Sequence, residues 1–291
     1  MRFAYGLPYL TAPPDPELCT ADGLTALARA AEAAGFAAVH LSEHPAPARS
    51  WREAGGHDAM DPFVTLGLVA GVTSRLRLMT GLTVVPYRNP FLLAKAVATL
   101  DRLSGGRVEL GMGTGYHRAE FAALGVDFDE RNALFDEAVD VLVRAFTGEP
   151  VTYEGRHFTA RDNTVLPAPV QQPHPPFWFG GNSRLTLRRV AAHGGGWLAL
   201  PASPDQARHL RSAPLADLDQ LAANVATVRH LAAGAGRTGP VDVMYPLSGP
   251  ATRDQVDELA DRGVTWVVVN GEGDGLAGAL AFLEDVAGRL L

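Results

Sequence analysis

An acidic residue and a histidine stand together where a short apolar segment gives way to a loop. The segment 37–41, AAVHL, is followed by Ser42, Glu43 and His44 in the run SEHPAPAR. A carboxylate beside an imidazole can move protons, because the ordinary pKa of histidine lies closest to working pH. A lone histidine in a loop can equally be incidental, and the sequence alone leaves both interpretations open.

The remaining candidates for metal or nucleophilic chemistry are weak. The stretch from Glu43 lacks the second histidine of an HExxH motif, and the nine histidines show no metal-ligand spacing. Cys19 is the only cysteine, so an intramolecular disulfide and a cysteine-based zinc site are excluded. No G-x-S-x-G motif is present. We therefore expect no metal and no acyl-transfer nucleophile.

A glycine-rich segment ends another apolar strand. The run VELGMGTG, residues 108–115, places three glycines at alternate positions, where the backbone must turn sharply or approach something closely. The spacing matches neither the G-x-G-x-x-G dinucleotide fingerprint nor a Walker loop. A tight turn and a cradle for an anion or cofactor remain equal alternatives.

A second glycine pair precedes a helix. In the run FWFGGNS, residues 177–183, Gly180 and Gly181 end an aromatic strand, and Asn182 and Ser183 open the next helical pattern. Backbone N–H groups, the helix dipole and two polar side chains would meet there, as they do at phosphate sites. The plainer interpretation is a helix cap alone.

Gly81 interrupts a third apolar strand. It lies in the run LMTGLTVVPYRNP, residues 78–90, among β-branched residues. A glycine at such a point indicates a β-bulge or a flat ligand resting on the backbone. A glycine that lets a helix pack closely is the alternative.

The elements that must position these residues alternate between strand and helix. Eight strands and eight helices are predicted, which favours a closed (β/α)8 TIM barrel within the α/β class. Residues 148–176 are expected to form an insertion with a hairpin near Glu154 and Gly155, inside a single domain of residues 1–291. The strands are predicted at Phe3–Leu7, Ala37–Leu41, Leu76–Val84, Arg107–Gly111, Phe177–Phe179, Trp197–Leu200, Val241–Tyr245 and Thr265–Val269.

Composition narrows the class of partner. The formal net charge is −7, so a cationic face for nucleic acid is not expected. No stretch is apolar and long enough for a membrane span, and the first residues do not resemble a signal peptide. We expect a cytoplasmic protein that binds neither nucleic acid nor a membrane.

These segments, in this order, resemble the luciferase-like monooxygenase superfamily of flavin- and deazaflavin-dependent enzymes. The resemblance covers nearly the whole chain and is densest in the run that begins GMGTGYHRAEF and in the later run PPFWFGGNSRLTLRRVAAHGGGW. Both of these runs are similar to an actinobacterial branch of coenzyme F420-dependent oxidoreductases. The resemblance implies a bacterial luciferase-like TIM barrel with its cofactor at the carboxyl ends of the strands, and a homodimer.

The resemblance also implies roles for residues. The third strand would contain a cis peptide bond between Gly81 and Leu82 behind the cofactor ring, and His44 would be the catalytic proton donor or acceptor. Tyr116 and His117 follow as candidate catalytic residues, although related sugar dehydrogenases have a carboxylate in place of Tyr116 and a Trp in place of Ala48. Cofactor contacts are implied at Glu43, Gly81, Leu82, Thr114, Gly115, Tyr116, Gly180, Gly181, Asn182 and Ser183.

Three functions follow from this resemblance. The first is a coenzyme F420-dependent oxidoreductase that transfers a hydride between the reduced deazaflavin and a small organic substrate, with secondary metabolites as one class. The second is a monooxygenase that uses reduced FMN and O2. The third is a barrel that binds a ligand without catalysis.

Overall fold

A closed barrel of parallel strands forms the centre of the computed structural model. The structure describes residues 1–7, 15–247, 251–270 and 275–291. Within these ranges the strands are β1 (Arg2–Gly6), β2 (Ala38–Leu41), β3 (Arg77–Thr80), β4 (Thr83–Val84), β5 (Val108–Gly113), β6 (Val151–Glu154), β7 (Thr159–Asn163), β8 (Phe177–Gly180), β9 (Gly196–Leu198), β10 (Asp242–Leu247) and β11 (Trp266–Asn270).

The strand order shows how the barrel closes. Strands pair in the order β3, β2, β1, β11, β10, β9, β8, β5, and pairing of β3 with β5 closes the ring. All of these pairings are parallel. The predicted (β/α)8 barrel is thereby confirmed, with each of the eight predicted strands present in the ring.

Helices connect the strands and cover the barrel. They are α1 (Ala21–Ala33), α2 (Arg49–Glu53), α3 (Pro62–Val72), α4 (Pro90–Ser104), α5 (Arg118–Ala123), α6 (Arg131–Ala145), α7 (Arg184–His193), α8 (Pro204–His209), α9 (Leu218–Gly234), α10 (Arg253–Asp261) and α11 (Gly275–Leu290). The short helices α2, α5 and α8 lie in loops that follow strands and were not predicted. Among the described helices, none has the length and apolar character needed to cross a bilayer.

Alternation along the strands divides the core in two. On β1, Ala4 belongs to the cluster inside the barrel and Tyr5 to the cluster between strands and helices. On β2, Ala38 and Val39 divide in the same way. Successive strand side chains point to opposite faces, so each strand contributes to both clusters.

The insertion before β8 contains the predicted hairpin. Strands β6 and β7 pair in antiparallel fashion, and Gly155 donates its backbone N–H to the carbonyl of Phe158 at 2.9 Å across the turn. This hairpin is separate from the barrel sheet.

His40 gives the barrel a dependence on pH. It follows Ala38 on the inner face of β2, and its buried Nδ1 has no hydrogen-bond partner among the described residues. Burial lowers the pKa of His40 from 6.5 to about 4. The unfolded chain therefore takes up this proton first as the pH falls, so the stabilisation is complete above pH 6.5 and is lost between about 6.5 and 4.

We expect His40→Leu to remove this component. Between those pH values the free energy of unfolding of the wild type should fall by up to about 3 kcal/mol more than that of the variant. Urea unfolding at a series of pH values measures the difference. If the free energy of unfolding changes equally with pH in the wild type and the variant, His40 is not the group responsible.

Candidate active site

A cavity of about 510 Å³ opens at the carboxyl ends of the strands. Its wall combines segments that follow β2, β3, β4, β5, β8 and β9. Its wall carries His44, His57, Tyr116 and His117 as well as Ser183 and three arginines, Arg131, Arg189 and Arg211. The predicted residues on its wall are Glu43, His44, Gly81, Leu82, Thr114, Gly115, Tyr116, His117, Gly180, Gly181 and Ser183.

The predicted third strand is two strands separated by a bulge. The prediction of one strand over Leu76–Val84 is wrong at this point, because β3 ends at Thr80 and β4 begins at Thr83. The peptide bond between Gly81 and Leu82 is cis, as the resemblance implies. An added Cβ on Gly81 would lie 1.7 Å from Nε2 of His40, so only glycine fits there.

The alternate glycines of the fourth barrel strand make room for this bulge. A Cβ on Gly113 would lie 2.5 Å from the Leu82 side chain, and one on Gly115 would lie 2.6 Å from that of Val84. Gly115 also has a φ of +73°, which favours glycine. These glycines therefore let the chain turn after β5 and let its backbone line the cavity.

Glu43 holds the bulge in place. Its carboxylate accepts the backbone N–H of Val84 at 2.7 Å and forms an ion pair with Arg88. Burial raises the pKa of Glu43, and the charge of Arg88 opposes this effect. Because both of its oxygens are engaged, Glu43 supports the cavity wall and is not available as the partner of His44.

Glu120 is the partner of His44. The Nδ1 atom of His44 lies 3.1 Å from a carboxylate oxygen of Glu120, and the Glu120 side chain is 1% exposed. The same carboxylate accepts the Tyr87 hydroxyl at 3.1 Å and the backbone N–H of Ala46 at 3.2 Å. Burial acts to raise the pKa of Glu120, but these hydrogen bonds and the nearby imidazole outweigh it and hold that pKa below its usual value. The carboxylate is ionised and binds the Nδ1–H tautomer of His44.

Sequence reasoning missed Glu120 because it missed α5. The run RAEFAALG consists of helix-forming residues followed by Gly125, whose φ is +71°. That combination is a helix ending at a glycine C-cap, and it was available in the sequence.

Aromatic rings surround His44. The Trp51 ring lies 4.6 Å from that of His44 and 5.3 Å from that of His117, and the His57 ring lies 4.9 Å from His44. Tyr116 meets His44 edge to face at 6.1 Å. Related sugar dehydrogenases have a Trp at the position of Ala48. In this chain Trp51, on α2, supplies the aromatic contact to His44 instead.

The start of α7 forms another part of the cavity wall. Ser183 caps this helix by accepting the backbone N–H of Thr186 at 3.1 Å, and its hydroxyl lies 2.9 Å from that of Thr186. The first N–H groups of the helix have no partner within it, and the helix dipole favours an anion there. Gly181, with a φ of +109°, brings the backbone to the same point.

Asn182 has a different place from the one predicted. It is not part of the cavity wall, and its side-chain amide donates to the carbonyls of Leu200 at 2.6 Å and Ala213 at 3.0 Å. Its backbone N–H donates to the hydroxyl of Ser212 at 3.2 Å. These bonds leave no donor for a cofactor, so Asn182 ties together the loops after β8 and β9.

The fold and this cavity define a class of protein. They describe a (β/α)8 barrel with a cavity that is lined both by the hydrogen-bonded pair His44 and Glu120 and by the start of α7.

The family model for luciferase-like monooxygenases matches residues 1–282. The chain therefore belongs to the luciferase-like monooxygenase family and is an oxidoreductase.

Relatives and solved structures agree with this assignment. An F420-dependent hydroxymycolic acid dehydrogenase from Mycobacterium tuberculosis is 34% identical over 197 residues, which are 67% of this chain and 51% of that protein. A monooxygenase from Streptomyces bottropensis superposes with a TM-score of 0.78 at 22% identity, over 100% of this chain and 98% of the other. A coenzyme F420-dependent tetrahydromethanopterin reductase from Methanopyrus kandleri superposes with a TM-score of 0.73 at 20% identity, over 99% and 97%.

Proposed function

We propose that this protein is a coenzyme F420-dependent oxidoreductase that transfers a hydride between the deazaflavin and a small organic substrate. The observation that supports the proposal is one continuous cavity, which is lined both by the His44–Glu120 pair and by the start of α7. A flat ring with a phosphorylated tail suits these two parts of the wall.

The residues present fit such a coenzyme. Gly81, Leu82 and Gly113 line the cavity, so a flat ring would lie against the cis peptide bond between Gly81 and Leu82. Ser42 lines the same cavity, and its buried hydroxyl has no protein partner among the described residues. Ser183, Thr186 and the first turn of α7 would hold the tail phosphate.

When bound, a reduced deazaflavin supplies a hydride from its ring, and the redox chemistry belongs to the coenzyme. The chain would hold the coenzyme and the substrate in position and supply or accept the proton. Glu120 holds the proton on Nδ1 of His44, which leaves Nε2 as the atom that takes a proton from a substrate hydroxyl or returns one to a carbonyl oxygen.

The wall around His44 favours a small substrate with an apolar part. His57, Tyr116 and His117 also line the cavity, and Trp51 packs behind them. Burial lowers the pKa of His57, and the neighbouring His44 adds to this effect, so His57 is neutral near pH 7. Such a wall excludes water from the ring and leaves His44 as the proton-transferring group.

The choice of coenzyme is supported by the 34% identical F420-dependent relative. Reduced FMN with O2 is the alternative, since the structural neighbour from Streptomyces is a monooxygenase. Both coenzymes have a tricyclic ring and a phosphorylated tail, so the cavity by itself accepts either.

An assay with both coenzymes tests the proposal. Purified protein and reduced F420 are mixed without oxygen with a panel of ketones, aldehydes and imines, and the return of oxidised F420 is followed by absorbance. A parallel series uses reduced FMN and records substrate-dependent oxygen uptake. We expect turnover in the first series; turnover in the second series alone would contradict the proposal in favour of the monooxygenase.

A further inference from the structure

One part of the cavity wall gathers positive charge. Arg131, the first residue of α6, and Arg211, which follows α8, both line it. Their guanidinium carbons lie 4.0 and 5.0 Å from the ring centre of Phe128, and that of Arg118 lies 4.2 Å from the same ring. One aromatic side chain therefore collects three cations in a chain whose net charge is −7.

Nearby carboxylates neutralise this cluster only in part. Arg118 forms an ion pair with Asp129 at 2.7 Å. In the described ranges, neither Arg131 nor Arg211 lies within 4.0 Å of a carboxylate oxygen, and Arg131 donates to the backbone carbonyl of Phe128 at 2.9 Å. Burial lowers the pKa of Arg131, and the charge of Arg211 lowers it further. An anion bound between these two arginines would relieve their repulsion.

The turn that carries Arg211 is attached to the loop that precedes α7. The φ of Arg211 is +49°, in the left-handed region that residues other than glycine rarely adopt, and such backbone is often found at binding sites. The next residue, Ser212, accepts the backbone N–H of Asn182, one residue before Ser183. The turn that carries Arg211 is therefore attached to the loop that carries the anion site.

The third arginine on this wall has its own partners. The Nε of Arg189 donates to Asp136 at 2.6 Å, and one of its terminal nitrogens donates to the side chain of Asn132 at 3.2 Å. Arg131 and Arg211 are thus the two cations of the wall that have no acidic partner within the described residues.

We propose that Arg131 and Arg211 form a second anion site, which binds carboxylates carried beyond the phosphate of the coenzyme tail. This inference rests on the proposed function. The tail of FMN ends at its phosphate, whereas the tail of an F420-type coenzyme continues into glutamate residues. A planar guanidinium binds a carboxylate through two parallel hydrogen bonds, which suits this group.

The test compares coenzymes that differ only in tail length. Quenching of coenzyme fluorescence gives the Kd of the protein for F420 without glutamates and for F420 with several glutamates. We expect the longer form to bind about tenfold more tightly, and this preference should weaken as the salt concentration rises. The double variant Arg131→Gln, Arg211→Gln should bind both forms equally and keep most of its affinity for the glutamate-free form.

Two control variants separate the site from general effects. Arg118→Gln removes a cation from the same aromatic ring, but Arg118 is paired with Asp129 and is not on the cavity wall, so the preference for the longer tail should persist. The double variant Arg131→Lys, Arg211→Lys keeps both charges and should keep part of that preference.

Wild type that binds both forms equally, or a double glutamine variant that still prefers the longer tail, would overturn the second anion site while coenzyme binding stands. An equal loss of affinity for both forms in the glutamine variant would also overturn it, since the arginines would then act on the phosphate. If wild type binds neither form, the proposed function fails together with this inference.

Discussion

Replacing His44 by alanine should lower kcat by roughly 10²- to 10⁴-fold and leave the Kd for the coenzyme nearly unchanged. His44 makes its contact with Glu120 and takes no part in the hydrogen bonds at the start of α7, so the variant should lose proton transfer and keep the proposed contacts of the tail. The measurement is steady-state turnover of the best substrate in the panel, together with a fluorescence titration of the coenzyme. Full turnover in the variant would remove His44 from the mechanism.

A matched pair of variants tests the part played by Glu120. Glu120→Gln keeps the shape of the side chain but can donate its amide to Nδ1, which would stabilise the wrong tautomer of His44. We expect kcat to fall with little change in KM. Tyr87→Phe removes a different hydrogen bond from the same carboxylate and leaves the contact with His44, so it should keep most of the activity. Equal losses in both variants would indicate a general structural role for Glu120.

Replacing Ser183 by aspartate should weaken coenzyme binding by roughly 10²- to 10³-fold. Aspartate caps a helix about as well as serine, so α7 should remain intact. Its charge would lie close to the proposed phosphate, and two like charges about 4 Å apart repel by about 4 kcal/mol near a protein surface.

Ser183→Asn is the control for this experiment, because asparagine caps the helix without adding a charge. We expect its Kd to stay near the wild-type value. The two variants are compared by fluorescence titration, with circular dichroism to compare their folding. Similar Kd values for both variants would place the phosphate elsewhere.

The alternation of strands and helices in the barrel could be predicted from the sequence, because each strand and each helix is determined by residues close together in the chain. A strand alternates with period two, a helix has its own cap, and Asp61, Asn89 and Ser183 cap helices in the positions that such side chains favour. Gly81 itself indicated a β-bulge as one interpretation, but the glycines that make room for the bulge belong to another strand, and that packing could not be inferred from the local sequence.

Candidate site residues could be predicted where several of them follow the end of one strand. Contacts between residues of two different loops could not be predicted. His44 and Glu120 are 76 positions apart, and only the folded loops bring them together. Asn182 was placed among cofactor contacts because its type and position suit a phosphate site. Its partners, the carbonyls of Leu200 and Ala213, lie in another loop and could not be inferred from local sequence.

A crystal structure of the protein with oxidised coenzyme F420 tests the central claim most directly. The account predicts the deazaflavin ring against the Gly81–Leu82 bond, with His44 beside the reacting carbon and the tail phosphate within about 3 Å of the Ser183 hydroxyl. A coenzyme bound with its phosphate beside His44, or bound outside this cavity, would contradict the account.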